Sequence, residues 1–183
     1  MGGDIYDVLV DESYFDGSRE YRVTGFDQQL LREPLTMLPV QRPLTLAADA
    51  SVSDAMRAMQ RKHTGCVIIT GDGSTRTQLE GIFTERDVLF RIVDRGRNPA
   101  ALALSEVMTP EPETLSVRAT VAYVLNKMAV GGFRHVPVVD DQQRPKGVVS
   151  VRDVVTFLVD AFPREVMNLP ELDASPSQAR EGA

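Results

Sequence analysis

Two short stretches of the chain carry the side chains best placed for chemistry. "GIFTERDV" begins at Gly81 and "GVVSVRDV" begins at Gly147; both read Gly, two apolar residues, a hydroxyl residue, a variable residue, Arg, Asp and Val. In each, a hydroxyl (Thr84, Ser150) stands just before an apolar run, and a carboxylate (Asp87, Asp153) follows three positions later. That spacing allows two readings. The first is a capping box, in which the hydroxyl accepts from the amide three residues on and the acid reaches back to the start of the helix. The second is a ribose clamp: a carboxylate has two acceptor oxygens to match two neighbouring sugar hydroxyls, and a helix start attracts phosphate. The two are compatible, a cap when the site is empty and a clamp when it is filled.

Catalysis finds little support. The chain has two histidines and one cysteine, and His63 and Cys66 are too close along the chain to make a nucleophile and base with an orienting third group. No P-loop, G-x-G-x-x-G, H-E-x-x-H or G-x-S-x-G occurs, and no carboxylate pair is marked out for acid–base work. Cys66, inside the run "CVII", has no partner for a disulfide or a metal site and reads as a small buried hydrophobe. The expectation is a protein that is not an enzyme, with no metal site and no required cofactor.

The elements that hold the motifs repeat as well. "PLTLAADASVSDAMRAM" (residues 43–59) and "PETLSVRATVAYVLNKM" (residues 112–128) share six of 17 positions at an offset of 69. Val52, Ala55, Met56 and Met59 in one, and Val121, Val124, Leu125 and Met128 in the other, fall at i, i+3, i+4, i+7, the mark of an amphipathic helix whose stripe is core packing. An apolar strand follows each, "CVII" and then "VPVV", with a long polar turn after the first and a shorter one after the second. Then come the two opening motifs, each leading into a second apolar helix, "DVLFRIV" and "DVVTFLV". The unit reads strand–helix–strand–turn–strand–helix, twice, and predicts an α/β fold. "RGRNPAALAL" links the copies. Residues 1–33 form an N-terminal extension in which "FDQQLLREPL" predicts a short helix ending before Pro34. The small, polar C-terminal stretch, 169–183, reads as a disordered tail.

With both copies in register, the sequence resembles tandem CBS domains, the regulatory pair called a Bateman module. The resemblance covers residues 34–98 and 103–162 and rests on "GIFTERD", "GVVSVRD", "FRHVPVVDD" and "SEVMTPEPETL". It implies two β-α-β-β-α repeats packed about a pseudo-twofold axis, with two clefts between them that bind adenosine nucleotides or related adenosyl ligands: AMP, ADP, ATP or S-adenosylmethionine. It also implies a homodimer, and output through dimer geometry or an unidentified regulated protein. By the same resemblance Thr84, Asp87, Ser150 and Asp153 contact ribose and phosphate, and Arg134 and His135 face phosphate. Thr45, Gly65, Cys66, Thr114 and Pro137 complete the candidate ligand-binding set.

Aligning the strands "CVII" and "VPVV" places Thr64 and Gly65 opposite Arg134 and His135, and Val67 opposite Pro137. The expected phosphate site therefore pairs Thr84 and Asp87 with Arg134 and His135. Lys62 and His63 lie near the opposite position but shifted from it, while Arg86 and Arg152 read as solvent-facing. The alternative to sensing is a structural dimerisation module whose clefts have degenerated.

Charge and hydropathy narrow the setting. Lys and Arg number 20 against 26 Asp and Glu, a net charge of −6, with no basic run. Phosphate neutralisation carries most nucleic-acid affinity, so nucleic acid is a poor partner for this chain. No apolar run approaches the ~20 residues of a membrane span, and the acidic N-terminus lacks signal-peptide character. A cytoplasmic protein, with no membrane partner, is expected.

Overall fold

The computed structural model describes residues 28–162. Residues 1–27 of the extension and the whole 169–183 tail lie outside the described residues. Within them, each copy builds the same α/β unit. The first has β1 (Thr45–Ala47), α2 (Val52–Lys62), β2 (Cys66–Thr70), β3 (Leu79–Thr84) and a helix start, α3 (Glu85–Asp87), which continues as a π-helical turn over Val88–Val93. The second has β5 (Leu115–Ser116), α4 (Val121–Gly131), β6 (His135–Val139), β7 (Pro145–Ser150) and α5 (Val151–Ala161). The remaining elements are α1 (Gln28–Arg32), the short helix expected before Pro34, and β4 (Thr109–Pro110).

In each unit the central strand pairs parallel with the strand before the first helix and antiparallel with the strand after the turn. β2 is buried at every position because both of its faces are covered. Val67 and Ile69 turn toward the helices of their own repeat, while Cys66 and Ile68 turn toward Ile82 and Val148 between the two repeats. This period-two division explains why a five-residue strand is apolar throughout, rather than alternating as a half-exposed strand does.

The amphipathic stripes fall as the spacing predicts. Val52, Ala55 and Met59 of α2 are buried, as are Val121 and Val124 of α4. Ser51 caps α2 by accepting from the Asp54 amide, and each of these helices stops at a left-handed residue, His63 (φ 50°) for α2 and Gly132 (φ 64°) for α4.

The two repeats exchange their lead-in segments. Leu35 and Leu38, which precede β1 of the first repeat, pack in the core of the second, and Gln41 pairs with Val148 of β7. Reciprocally, Leu104 and Val107, which precede β5 of the second repeat, pack in the core of the first, and β4 pairs with β3. The glycine that opens each motif leaves room for this crossing: a Cβ on Gly81 would run into the Met108 sulfur, and one on Gly147 into Val40.

Two expectations are corrected. The hydrogen-bonded register pairs Cys66 with Thr84 and His135 with Ser150, so Cys66 matches His135, Gly65 matches Arg134, and Ile68, not Val67, stands where the second copy has Pro137. An apolar run carries no internal mark of register; the ladder to the motif strand sets it. The second correction concerns "DVLFRIV", which is not the counterpart of α5 throughout. After one α-helical turn it widens, with the Asp94 amide bonding to the Leu89 carbonyl five residues back.

Candidate functional site: two unequal clefts

Both capping boxes form. The Asp87 Oδ2 accepts from the Thr84 amide at 2.8 Å and from the Thr84 hydroxyl at 2.7 Å. The Asp153 Oδ2 accepts from the Ser150 amide and hydroxyl, each at 2.7 Å. Each helix is tied once more to the neighbouring strand: the Glu85 amide donates to the Gly65 carbonyl, and the Val151 amide donates to the Arg134 carbonyl. The two carboxylates are buried, with one oxygen of each fixed by its own cap.

The other oxygen differs between the copies. The Asp87 Oδ1 is ion-paired with the Arg91 Nε at 3.1 Å. Arg91 also donates through Nη1 to the Val107 and Met108 carbonyls, both at 2.6 Å, and so straps α3 to the lead-in of the other repeat. The Asp153 Oδ1 instead accepts from the Gln41 amide at 3.1 Å. The sequence reading picked out neither Arg91 nor Gln41; Arg91 at i+4 from Asp87 on a helix was the available signal, whereas Gln41 is 112 residues from Asp153 and gave none.

Each carboxylate stands in a cleft between the repeats. The cleft holding Thr84 and Asp87 has a volume of about 290 Å³ and is also lined by Gly65, Arg134, His135 and Pro137. The cleft holding Ser150 and Asp153 has a volume of about 900 Å³ and is also lined by Gly65, Cys66, Arg134 and His135. The expected grouping of Thr84 and Asp87 with Arg134 and His135 is thus present, but Arg134 and His135 line both clefts. Thr45 and Thr114 are not among the residues lining either; the Thr45 hydroxyl donates to the Gly73 carbonyl at 2.6 Å and braces the turn after β2. Arg152 lines the larger cleft and Arg86 the smaller, so neither faces solvent alone.

Gly65 and His135 form the partition. A Cβ on Gly65 would stand 2.9 Å from the His135 ring and 3.2 Å from the Glu85 carboxylate, so any larger residue here would push the imidazole aside. Burial pushes the His135 pKa below its ordinary value, opposed by the carboxylates of Glu85 and Asp153 and assisted by Arg134. The Cys66 thiol is pushed up to about 12, chiefly by burial, and so is a poor nucleophile that serves as packing.

A duplicated β-α-β-β-α unit that exchanges its lead-in segments, and presents one capped carboxylate to each of two clefts, defines a tandem-repeat module. The chain belongs to the CBS-domain family, whose pattern it matches at residues 36–94 and 104–160. It is 31% identical over 127 residues to the CBS domain-containing protein CBSCBSPB2 of Arabidopsis thaliana; the match covers 69% of this chain and 22% of that protein. Among solved structures, it is similar to the CBS-domain containing protein ATU1752 from Agrobacterium tumefaciens, with a TM-score of 0.55 and 28% identity, covering 63% of this chain and 88% of that one. It also shares its fold with the CBS domain pair of protein MJ0100, solved in complex with 5′-methylthioadenosine and S-adenosyl-L-methionine (TM-score 0.59, 24% identity, 67% of this chain and 96% of that one). Among the described residues, no helix is long and apolar enough to cross a membrane.

Proposed function

We propose that this CBS pair is a non-catalytic sensor that binds adenosine nucleotides or related adenosyl ligands in its two clefts. AMP, ADP, ATP and S-adenosylmethionine are the candidates. The observation that carries the reading is the matched placement of Asp87 and Asp153: two buried carboxylates, each at a helix start and each facing a cleft walled by the other repeat. A ribose diol can take the oxygen now held by Arg91 or Gln41 while the capping contacts persist. The adenosyl ligands of the MJ0100 pair support the ligand class.

Output passes through dimer geometry or a regulated partner protein. Leu89, Phe90 and Val93, on the π-helical turn, and Val155, on α5, are exposed large apolar side chains, and a homodimer that covers them is the proposed assembly. Light scattering at micromolar concentration tests it: a dimer mass is expected, and a monomer mass overturns it. We place the protein in the cytoplasm.

Thermal denaturation with millimolar AMP, ADP, ATP and S-adenosylmethionine tests the ligand class. A ligand at a hundredfold excess over Kd stabilises by about 2.7 kcal/mol, and a raised Tm is expected with at least one of them. If all four leave Tm unchanged, the second reading stands: a dimerisation module with degenerate clefts. One observation favours that reading, since both carboxylates are already satisfied by their own caps and by Arg91 or Gln41.

A further inference from the structure

The two clefts differ in charge as well as size. The larger is lined by four cationic side chains, Arg42, Lys62, Arg134 and Arg152, against one carboxylate, Asp153. The smaller has three cations, Arg86, Arg91 and Arg134, against three carboxylates, Glu85, Asp87 and Glu113. Its Arg91 is already committed to Asp87 and to two carbonyls. None of Arg42, Lys62, Arg134 and Arg152 makes an ion pair with a described residue. They come from four segments: the crossing lead-in, the end of α2, the turn just before β6 and the first turn of α5. α5 is a full 11-residue helix whose N-terminus adds its own partial positive charge to this cleft.

Unpaired like charges gathered around a concavity repel one another, and a polyanion is what relieves that repulsion. The capped Asp153 in the same cleft fixes where a sugar would sit. A volume of about 900 Å³ leaves room beyond a nucleoside, whereas about 290 Å³ stands at the lower limit of ordinary ligand sites. On these grounds, and resting on the adenosyl-binding reading above, we propose that the clefts have different ligands. The Ser150–Asp153 cleft selects nucleoside di- and triphosphates through Arg42, Lys62, Arg134 and Arg152. The Thr84–Asp87 cleft takes adenosyl compounds that carry little or no phosphate. This reverses the side on which the sequence placed the phosphate site: Arg134 serves both clefts, and the other three cations meet only in the fold.

Calorimetric titration of the full chain with adenosine, AMP, ADP and ATP in magnesium-free buffer tests the proposal. ATP is expected to bind at least tenfold more tightly than AMP, with affinity falling as salt rises. Removal of two charge-assisted contacts in Arg42→Gln/Lys62→Gln weakens ATP by roughly a hundredfold or more and leaves adenosine within about twofold. The control, Arg57→Gln/Arg61→Gln, makes the same net-charge change at two exposed α2 positions that line neither cleft, and keeps ATP affinity within about twofold. Far-ultraviolet circular dichroism shows whether both variants are folded. The proposal is overturned if ATP binds no tighter than AMP, if the Arg42/Lys62 variant loses adenosine and ATP alike, if the control loses as much ATP, or if inorganic tripolyphosphate binds as tightly as ATP. Binding of adenosine and AMP without preference for ATP sinks this proposal alone. No binding of any of the four sinks the adenosyl reading with it.

Discussion

The two clefts start from the same eight-residue motif and end as different sites. In both, a hydroxyl and a carboxylate close a helix start with nearly identical distances. Around the first, Arg91 neutralises Asp87 and fastens it to the other repeat's lead-in; around the second, a neutral Gln41 touches Asp153 and four cations make no ion pair with a described residue. Duplication fixes where the carboxylates are; Gln41, Arg42, Lys62 and Arg91, all outside the motif, make much of the difference in what surrounds them.

The strongest way to break the comparison is to ask whether the two halves are independent at all. Phe83 is fully buried beside Val67, and Val149 holds the matching place in the second repeat. Phe83→Ala removes a large core side chain and should cost about 3–5 kcal/mol, lowering Tm on the order of 10 °C. Because Leu35 and Leu38 complete one core, and Leu104 and Val107 the other, that loss should appear in a single calorimetric transition. Two separated transitions, with one unmoved, would show that the exchanged segments do not couple the halves.

Next in size is the loss of each carboxylate. Asp153→Ala should weaken ATP binding by about 1.5–3 kcal/mol, the value of a charge-assisted hydrogen bond, and Asp87→Ala should weaken adenosine binding at the smaller cleft in the same range. Each also loses half of a capping box, about 0.5–2 kcal/mol of folding stability. If stability falls and affinity for both ligands stays put, the caps are only caps. Calorimetric titration beside thermal unfolding separates the two outcomes.

Much of the frame could be read from the sequence. The helical stripes at Val52 and Val121, the buried strand "CVII" and the paired motifs carry their signals locally, in period and in spacing. The strand register could not, because Cys66, Val67 and Ile68 are interchangeable in an apolar run until β3 pairs with them. Nor did "DVLFRIV" betray its π-helical turn. In place of the core residue Phe157 of α5, that segment carries Arg91, which reaches across to carbonyls 16 and 17 residues away. The cationic cluster of the larger cleft was hidden for a different reason. Its members are scattered from Arg42 to Arg152, and only the crossing of the lead-in segment brings the first of them to the last.

A smaller effect sharpens the comparison at Asp153. Its free oxygen must leave the Gln41 amide before it can accept from a sugar, whereas Asp87 must leave a guanidinium that also holds two carbonyls. Gln41→Ala removes the weaker competitor. Gln41 is exposed, so water competes for its bond to the carboxylate and the bond is worth about 0.5–1.5 kcal/mol; ATP should therefore bind roughly two- to tenfold more tightly to Gln41→Ala. An unchanged or weakened affinity would mean that Gln41 positions Asp153 for the ligand rather than competing with it.

The smallest expected effect lies at the partition the clefts share. His135 faces the carboxylates of Glu85, from α3, and Asp153, from α5, with Arg134 just before it in the chain, and it packs over Gly65 just ahead of β2. Burial is the largest influence, so its folded pKa is below the ordinary 6.5. Between that depressed value and 6.5, the unfolded chain binds more protons than the folded one, and stability therefore rises with pH across the window. The contribution is fully present above the ordinary histidine pKa and is lost as pH falls toward the folded one. Other groups titrate in the same range, so the quantity to measure is the Tm of the native chain minus that of His135→Gln, from pH 7.5 down to 5. That difference should shift against the native chain as pH falls, because the variant has no proton to take up at this site. A difference that stays constant would mean that the imidazole is charged as readily in the fold as in water. A shift in the opposite direction would mean that Glu85 and Asp153 outweigh burial, and the partition would then be an ion-paired cluster rather than a desolvated wall.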